Sequence, residues 1–368
     1  MQELEFEGDE TIEVENNNIE NVYPAEVKIS RDVFSVYELK RKYEEKKTLI
    51  LDPDFQREKV WNKRQKSELI ESILMGIPLP VMYFAEDRYG NLQVIDGRQR
   101  LETFFEFMNN RFSLSQTPIL DNKGKKFSNL EPREQTRLED YQIIVYIIKP
   151  QTPDRIKFDI FDRVNRGGTP LNKQEMRNAL YQGKSTKLLK ELAEYEEFKR
   201  ATDYSINTKR MKDRYLILRF LAFYLYYRDK LIDIITNEKI VYKSDIDFFL
   251  GRTMEFINKS DENLINELKV VFKRAMKNSY EVFGKDAFRI PSQHRKRPIN
   301  MALFESLGYL MSFEDVTNYK DKLKIEIKKL FEDKDFIDSL ENRIDSSKSV
   351  EVRFGKMIDV LKRLEDVE

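Results

Sequence analysis

VIDGRQRLETFF, residues Val94–Phe105, decides how the N-terminal half of this chain is read. Val94 and Ile95 end a short strand, Asp96-Gly97 is a turn pair, and Leu101, Phe104 and Phe105 recur at helical spacing. A strand thus passes through a tight turn straight into a helix at Arg98–Met108. That order gathers free backbone N–H groups and the positive end of a helix dipole at one spot. Gly97 lets a ligand approach the backbone, and Arg98 and Arg100 add forked cations suited to phosphate. The same letters support a plainer reading. Asp96 is a good N-cap, and Gln99 stands three residues on, at capping-box spacing. On local chemistry alone the cap is the commoner arrangement.

Outward from this segment, Asn62–Met75 carries Leu69, Ile70, Ile73 and Leu74 on one stripe and reads as an amphipathic helix stopped by Gly76. Pro78 and Pro80 mark extended backbone. Strands follow at Val81–Phe84 and Leu92–Ile95, joined by the turn Asp87–Asn91. Val36–Glu45, Asp154–Asn165 and Asn172–Tyr181 read as helices, and Tyr141–Ile148 as a buried strand. From Ser185 onward the pattern is helical almost to the end. The expected fold class is α+β: a flexible polar tail over residues 1–22, a mixed domain over 23–182, and an all-α domain over 183–368, with a soft boundary near Gly183.

Composition narrows the chemistry. The chain has 368 residues, 65 basic and 65 acidic, so any nucleic-acid surface must be a local patch. With no cysteine and one histidine, His294, thiolate chemistry and multi-histidine metal centres are excluded, and no zinc is expected. A carboxylate-bound Mg²⁺ stays open. The most apolar run, Tyr215–Tyr227, is too short to span a bilayer and contains Arg219, which argues for a buried helix. An acidic N-terminus without an apolar core points to the cytoplasm and to no membrane partner.

Two further segments carry candidate ligands. Phe55–Trp61, FQREKVW, places Gln56 and Arg57 in a loop. Phe158–Leu171, FDIFDRVNRGGTPL, ends a helix at Asn165-Arg166-Gly167-Gly168, where side chains and amides suit a phosphate or base edge, or simply cap the helix. In a basic loop at Ser292–Pro298, Arg295, Lys296 and Arg297 are candidate nucleic-acid contacts. His294 reads more readily as part of that loop than as a general base.

The blocks F-Q-R…W, S-I-L-x-G-I-P-L-P (Ser72–Pro80), I-D-G-x-Q-R-L (Ile95–Leu101) and F-x-R-x-N-x-G-G-x-x-L-N-x-x-E (Phe161–Glu175), in that order, resemble the N-terminal domain of GmrSD-type restriction endonucleases. That family's fold is related to ParB and sulfiredoxin. Arg297–Leu307, RPINMALFESL, resembles the helical region that often follows it. The resemblance implies nucleoside triphosphate binding and hydrolysis, with Mg²⁺ arriving on the nucleotide, inside a bacterial restriction or anti-phage system. On it, Asp96 and Arg100 are expected to be catalytic. Gln56, Arg57, Gly97, Arg98, Gln99, Arg100, Asn165, Arg166 and Gly167 are expected to bind nucleotide. The family signature is usually D-G-Q-Q-R. Arg98 replaces its first Gln, which favours phosphate binding but removes a hydrogen-bond acceptor. No His-Asn-His nuclease spacing is present, so a separate effector protein and DNA are the implied partners, and an oligomer is allowed. The competing readings are a ParB-like Mg²⁺ nuclease, for which Asp52, Asp54 and Asp96 are candidates, and a non-enzymatic DNA- or partner-binding regulator.

Overall fold

The structure is a computed structural model that describes residues 6–7, 27–51, 61–117, 119, 121–152, 156–157, 160, 163, 172–234, 236–292 and 296–365. In chain order its strands are β1 (Phe6–Glu7), β2 (Ile29–Ser35), β3 (Leu49–Ile50), β4 (Met82–Glu86), β5 (Leu92–Asp96), β6 (Gln142–Ile148) and β7 (Ile299–Asn300). The helices are α1 (Val36–Glu44), α2 (Lys63–Leu74), α3 (Arg98–Met108), α4 (Pro132–Glu139), α5 (Lys173–Leu180), α6 (Lys184–Ala193) and α7 (Glu196–Ala201). They continue as α8 (Lys212–Tyr227), α9 (Ile246–Lys259), α10 (Glu262–Phe283), α11 (Met301–Met311), α12 (Lys320–Leu330), α13 (Lys334–Glu341) and α14 (Ser347–Glu365). The chain divides into two compact units, one within Glu20–Leu171 and one that contains Asn172–Glu368 with β1.

The first unit is α+β. Its mixed sheet has the order β2-β6-β4-β5-β3, antiparallel at β2-β6 and β4-β5, parallel at β6-β4 and β5-β3. One face bears Met82, Phe84, Val94, Val145 and Ile147, which bury against the apolar stripes of α1, α2 and α3. The helices start where their sequence says. Asn62 caps α2 by accepting from Gln65 N–H at 3.0 Å, while Gln65 accepts from the Asn62 N–H. Ser35 accepts from Glu38 N–H at 3.0 Å and opens α1.

Three elements of this unit, β2, β3 and α4, lie outside the sequence reading, and the two-residue β3 is too short to show a pattern. Strand β2 was missed because its apolar residues Ile29 and Val33 point outward, 41% and 49% exposed, so alternation marked no buried face. Helix α4 was legible: Pro132 sits at the first helical position, and Glu134 accepts from the Glu131 N–H at 3.1 Å.

The second unit is helical, with a single apolar core centred on α8 and α11. Arg219, predicted to keep α8 from being a membrane span, is fully buried there. It pairs with Glu305 of α11 and, at 2.6 Å, with Asp345; Arg353 meets the other Glu305 oxygen at 2.7 Å. Two cations and two carboxylates balance, which is the condition for burying charge at all. Helix α5, placed before Gly183 in the sequence reading, packs in this unit against α8. Among the described residues no helix is long and apolar enough to cross a membrane.

Candidate functional site

The strand–turn–helix expected at Val94–Phe105 is present, with β5 ending at Asp96 and α3 starting at Arg98. Gly97 is the N-cap residue, at φ 104°, ψ 1°, a left-handed conformation that glycine alone adopts at little cost. A Cβ there would lie 2.6 Å from Met82 Sδ and 2.7 Å from Met82 Cγ. Two requirements, backbone sign and space, therefore converge on glycine. The capping box read between Asp96 and Gln99 is corrected. Asp96 is the last residue of the strand, its carboxylate turns to Arg100, and the N-cap residue, Gly97, has no side chain to cap α3.

Arg100 explains a second sequence block. Its guanidinium donates to the Pro80 carbonyl, to the Val81 carbonyl at 3.4 Å and to Asp96 Oδ2 at 2.7 Å. The Ile77–Val81 stretch that offers those carbonyls is itself held in place from two sides. Gly76 stops α2 at φ 76°, and the Tyr141 hydroxyl donates to the Ile77 carbonyl at 2.8 Å while accepting from the Leu79 N–H at 3.0 Å. The S-I-L-x-G-I-P-L-P and I-D-G-x-Q-R-L blocks are thus two sides of one brace. Burial pulls the Arg100 pKa below its ordinary value, against the Asp96 charge that raises it. Arg98 is more open. Its side chain is 25% exposed, and Nε donates to Glu102 Oε1 at 2.7 Å, one turn along α3.

The first turn of α3 thus holds two arginines and no acidic residue. Cations at a helix N-terminus oppose the dipole. Asp96 and Glu102 offset the two charges from outside the first turn.

Of the other predicted site residues, Gln56, Arg57, Asn165, Arg166 and Gly167 lie outside the described residues, as do His294, Arg295, Asp52 and Asp54 and all of the proposed tail except Phe6 and Glu7. Lys296 and Arg297 are described. Lys296 pairs with Asp203 at 2.8 Å, and Arg297 with Glu341 at 2.7 Å. In the late segment RPINMALFESL, Asn300 caps α11 and donates to the Leu340 carbonyl at 3.0 Å, and Glu305 joins the buried charge network. The block is architectural. The same holds for Asn172 and Glu175, which form the capping box of α5; Asn172 also donates to the Arg210 carbonyl at 2.7 Å.

Residues 36–182 match the family described as the GmrSD restriction endonuclease, N-terminal domain. This segment belongs to that family. The match spans α1 through α5 and so includes the whole Asp96–Arg100 turn and its Pro80–Val81 brace. A restriction-type defence role is the setting that the GmrSD-type domain supports. No curated protein and no solved structure matches the chain.

Proposed function

We propose that the GmrSD-type domain of this chain is a ParB-like nucleoside triphosphate site, and that the protein binds and hydrolyses nucleotide as a cytoplasmic component of a DNA-restriction or anti-phage system. The observation that carries the reading is the start of α3 on a glycine. A glycine at which any Cβ would be strained and crowded by Met82 leads into a helix whose first turn holds Arg98 and Arg100 where the dipole favours an anion. Such local conflicts between charge and dipole mark functional sites. In this reading the backbone amides and Arg98 take phosphate oxygens. Arg100 is the brace that fixes the turn against Pro80 and Val81. Asp96, 39% exposed, orients Arg100 with one oxygen and keeps the other for a water on the reacting phosphate.

The donor set fits a Mg²⁺ that arrives with the phosphates. Asp96 offers one carboxylate, and no group of three His, Cys, Asp or Glu among the described residues makes a protein-built cage. Bound there, the ion would neutralise phosphate charge. The test is a titration with labelled nucleoside triphosphates, followed by phosphate release, on the parent chain and on Asp96→Asn. Binding without turnover in the variant supports the reading; no binding by the parent refutes it. DNA cleavage with Mg²⁺ and no nucleotide would favour the nuclease alternative.

A further inference from the structure

Tyr83 of β4 and Tyr146 of β6 stack on each other, ring centroids 5.6 Å apart and planes 27° from parallel. Both are half-buried. They are register neighbours, and each continues the row outward: Tyr146 is paired with Arg31 on β2, and Tyr83 with Asp96 on β5. A single line across the sheet therefore reads Arg31, Tyr146, Tyr83, Asp96, with about 5 Å between neighbouring Cα atoms. The tyrosines alternate with Met82, Phe84, Val145 and Ile147 of the core, so they lie on the opposite face of the sheet.

That face holds a second anomaly. Gln93 stands directly across from Ala85, on the same side as Tyr83 by the two-residue period. It is 5% exposed, and its Nε2 has no hydrogen-bond partner. A buried amide without an acceptor is destabilising, so a fold that keeps one has a use for it.

We infer that this face is the platform for the nucleobase of the nucleotide whose phosphates the Asp96–Arg100 turn holds, an inference that rests on that phosphate site. The aromatic pair supplies a flat surface for any base, and the Gln93 amide supplies a donor for an acceptor on the base edge. The row ends at the turn itself, so one ligand spans both with only its sugar between.

The experiment is calorimetric titration of the full chain with each of the four ribonucleoside triphosphates and with inorganic tripolyphosphate, repeated on Tyr83→Leu, Tyr146→Leu and Gln93→Met. The parent should bind at least one nucleotide roughly 5- to 100-fold more tightly than tripolyphosphate, the range expected for stacking one base on aromatic side chains. Either leucine variant should lose that margin while its tripolyphosphate affinity stays unchanged. Gln93→Met should alter the ranking of the four bases with a melting temperature no lower than the parent's. If the parent binds tripolyphosphate as well as every nucleotide, the platform is wrong and the phosphate site stands. Folded leucine variants that bind nucleotide like the parent overturn it in the same way, and assign the pair to sheet stability. If one leucine variant fails to fold, the other and Gln93→Met decide. A parent that binds neither ligand removes the phosphate site and the platform together.

Discussion

Replacing Gly97 with alanine tests the turn on which the site depends. The new Cβ meets two obstacles. At φ 104° an L-residue sits in sparsely populated backbone space, which costs of order 1–3 kcal/mol. It also lies 2.6 Å from Met82 Sδ, whose side chain is fully buried and has little room to move, and overpacking of that kind costs about 1–3 kcal/mol more. The sum is about 2–6 kcal/mol. For a domain of roughly 150 residues this lowers the melting temperature by about 4–20 °C. Thermal denaturation followed by circular dichroism measures it. A cycle with Met82→Ala separates the two contributions: the double variant should be less destabilised than the summed singles by about 1–3 kcal/mol, the steric part, while the backbone part persists. A Gly97→Ala protein that melts within about 1 °C of the parent would refute the conformation assigned to the turn. An additive cycle would show that Met82 is not what excludes a side chain.

Other expected outcomes follow from the same contacts. Arg100→Lys should weaken nucleotide binding about ten- to hundredfold and lower the melting temperature, because an ammonium cannot span Pro80, Val81 and Asp96 together; parent-like affinity would contradict the brace. Asp96→Asn should leave stability within about 1 kcal/mol, since its ion pair is partly exposed, yet abolish phosphate release; retained turnover would remove Asp96 from catalysis. In the helical unit burial pushes the Asp345 carboxyl up, but the Arg219 charge and hydrogen bond outweigh it and hold the pKa below the ordinary value. A depressed folded-state pKa gives stability that is present above about pH 4 and lost as pH falls further, so acid melting should steepen below pH 4 and flatten in Asp345→Asn. If the 292–298 loop touches nucleic acid, Lys296→Ala with Arg297→Ala should reduce the salt dependence of DNA binding; an unchanged slope would leave the two side chains to their Asp203 and Glu341 pairs.

The sequence by itself determined the elements whose signals are local. Helix α2 is specified by Asn62, Gln65 and a one-sided apolar stripe. Helix α3 spans Arg98–Met108 as the sequence pattern places it, and the order of the motif blocks identifies the GmrSD-type domain. These depend on contacts within one turn or one strand, which a single chain displays directly. Tertiary structure alone decided what the motif residues do. Arg100 reads as a phosphate clamp until Pro80 and Val81, twenty residues upstream, are seen to occupy its guanidinium. Asp96 reads as a helix cap until the bulged β4-β5 register assigns it to the strand. Glu305 reads as one more helix residue until Arg219 and Arg353 arrive from other helices to neutralise it. Tyr83, Tyr146 and Gln93 carry no pattern of their own, because only the register of β4, β5 and β6 brings them to one face. The physical reason is common to all four. Propensity and capping act over a few residues, whereas pairing a charge, filling a row across a sheet or excluding a Cβ depends on atoms that folding brings together from distant parts of the chain.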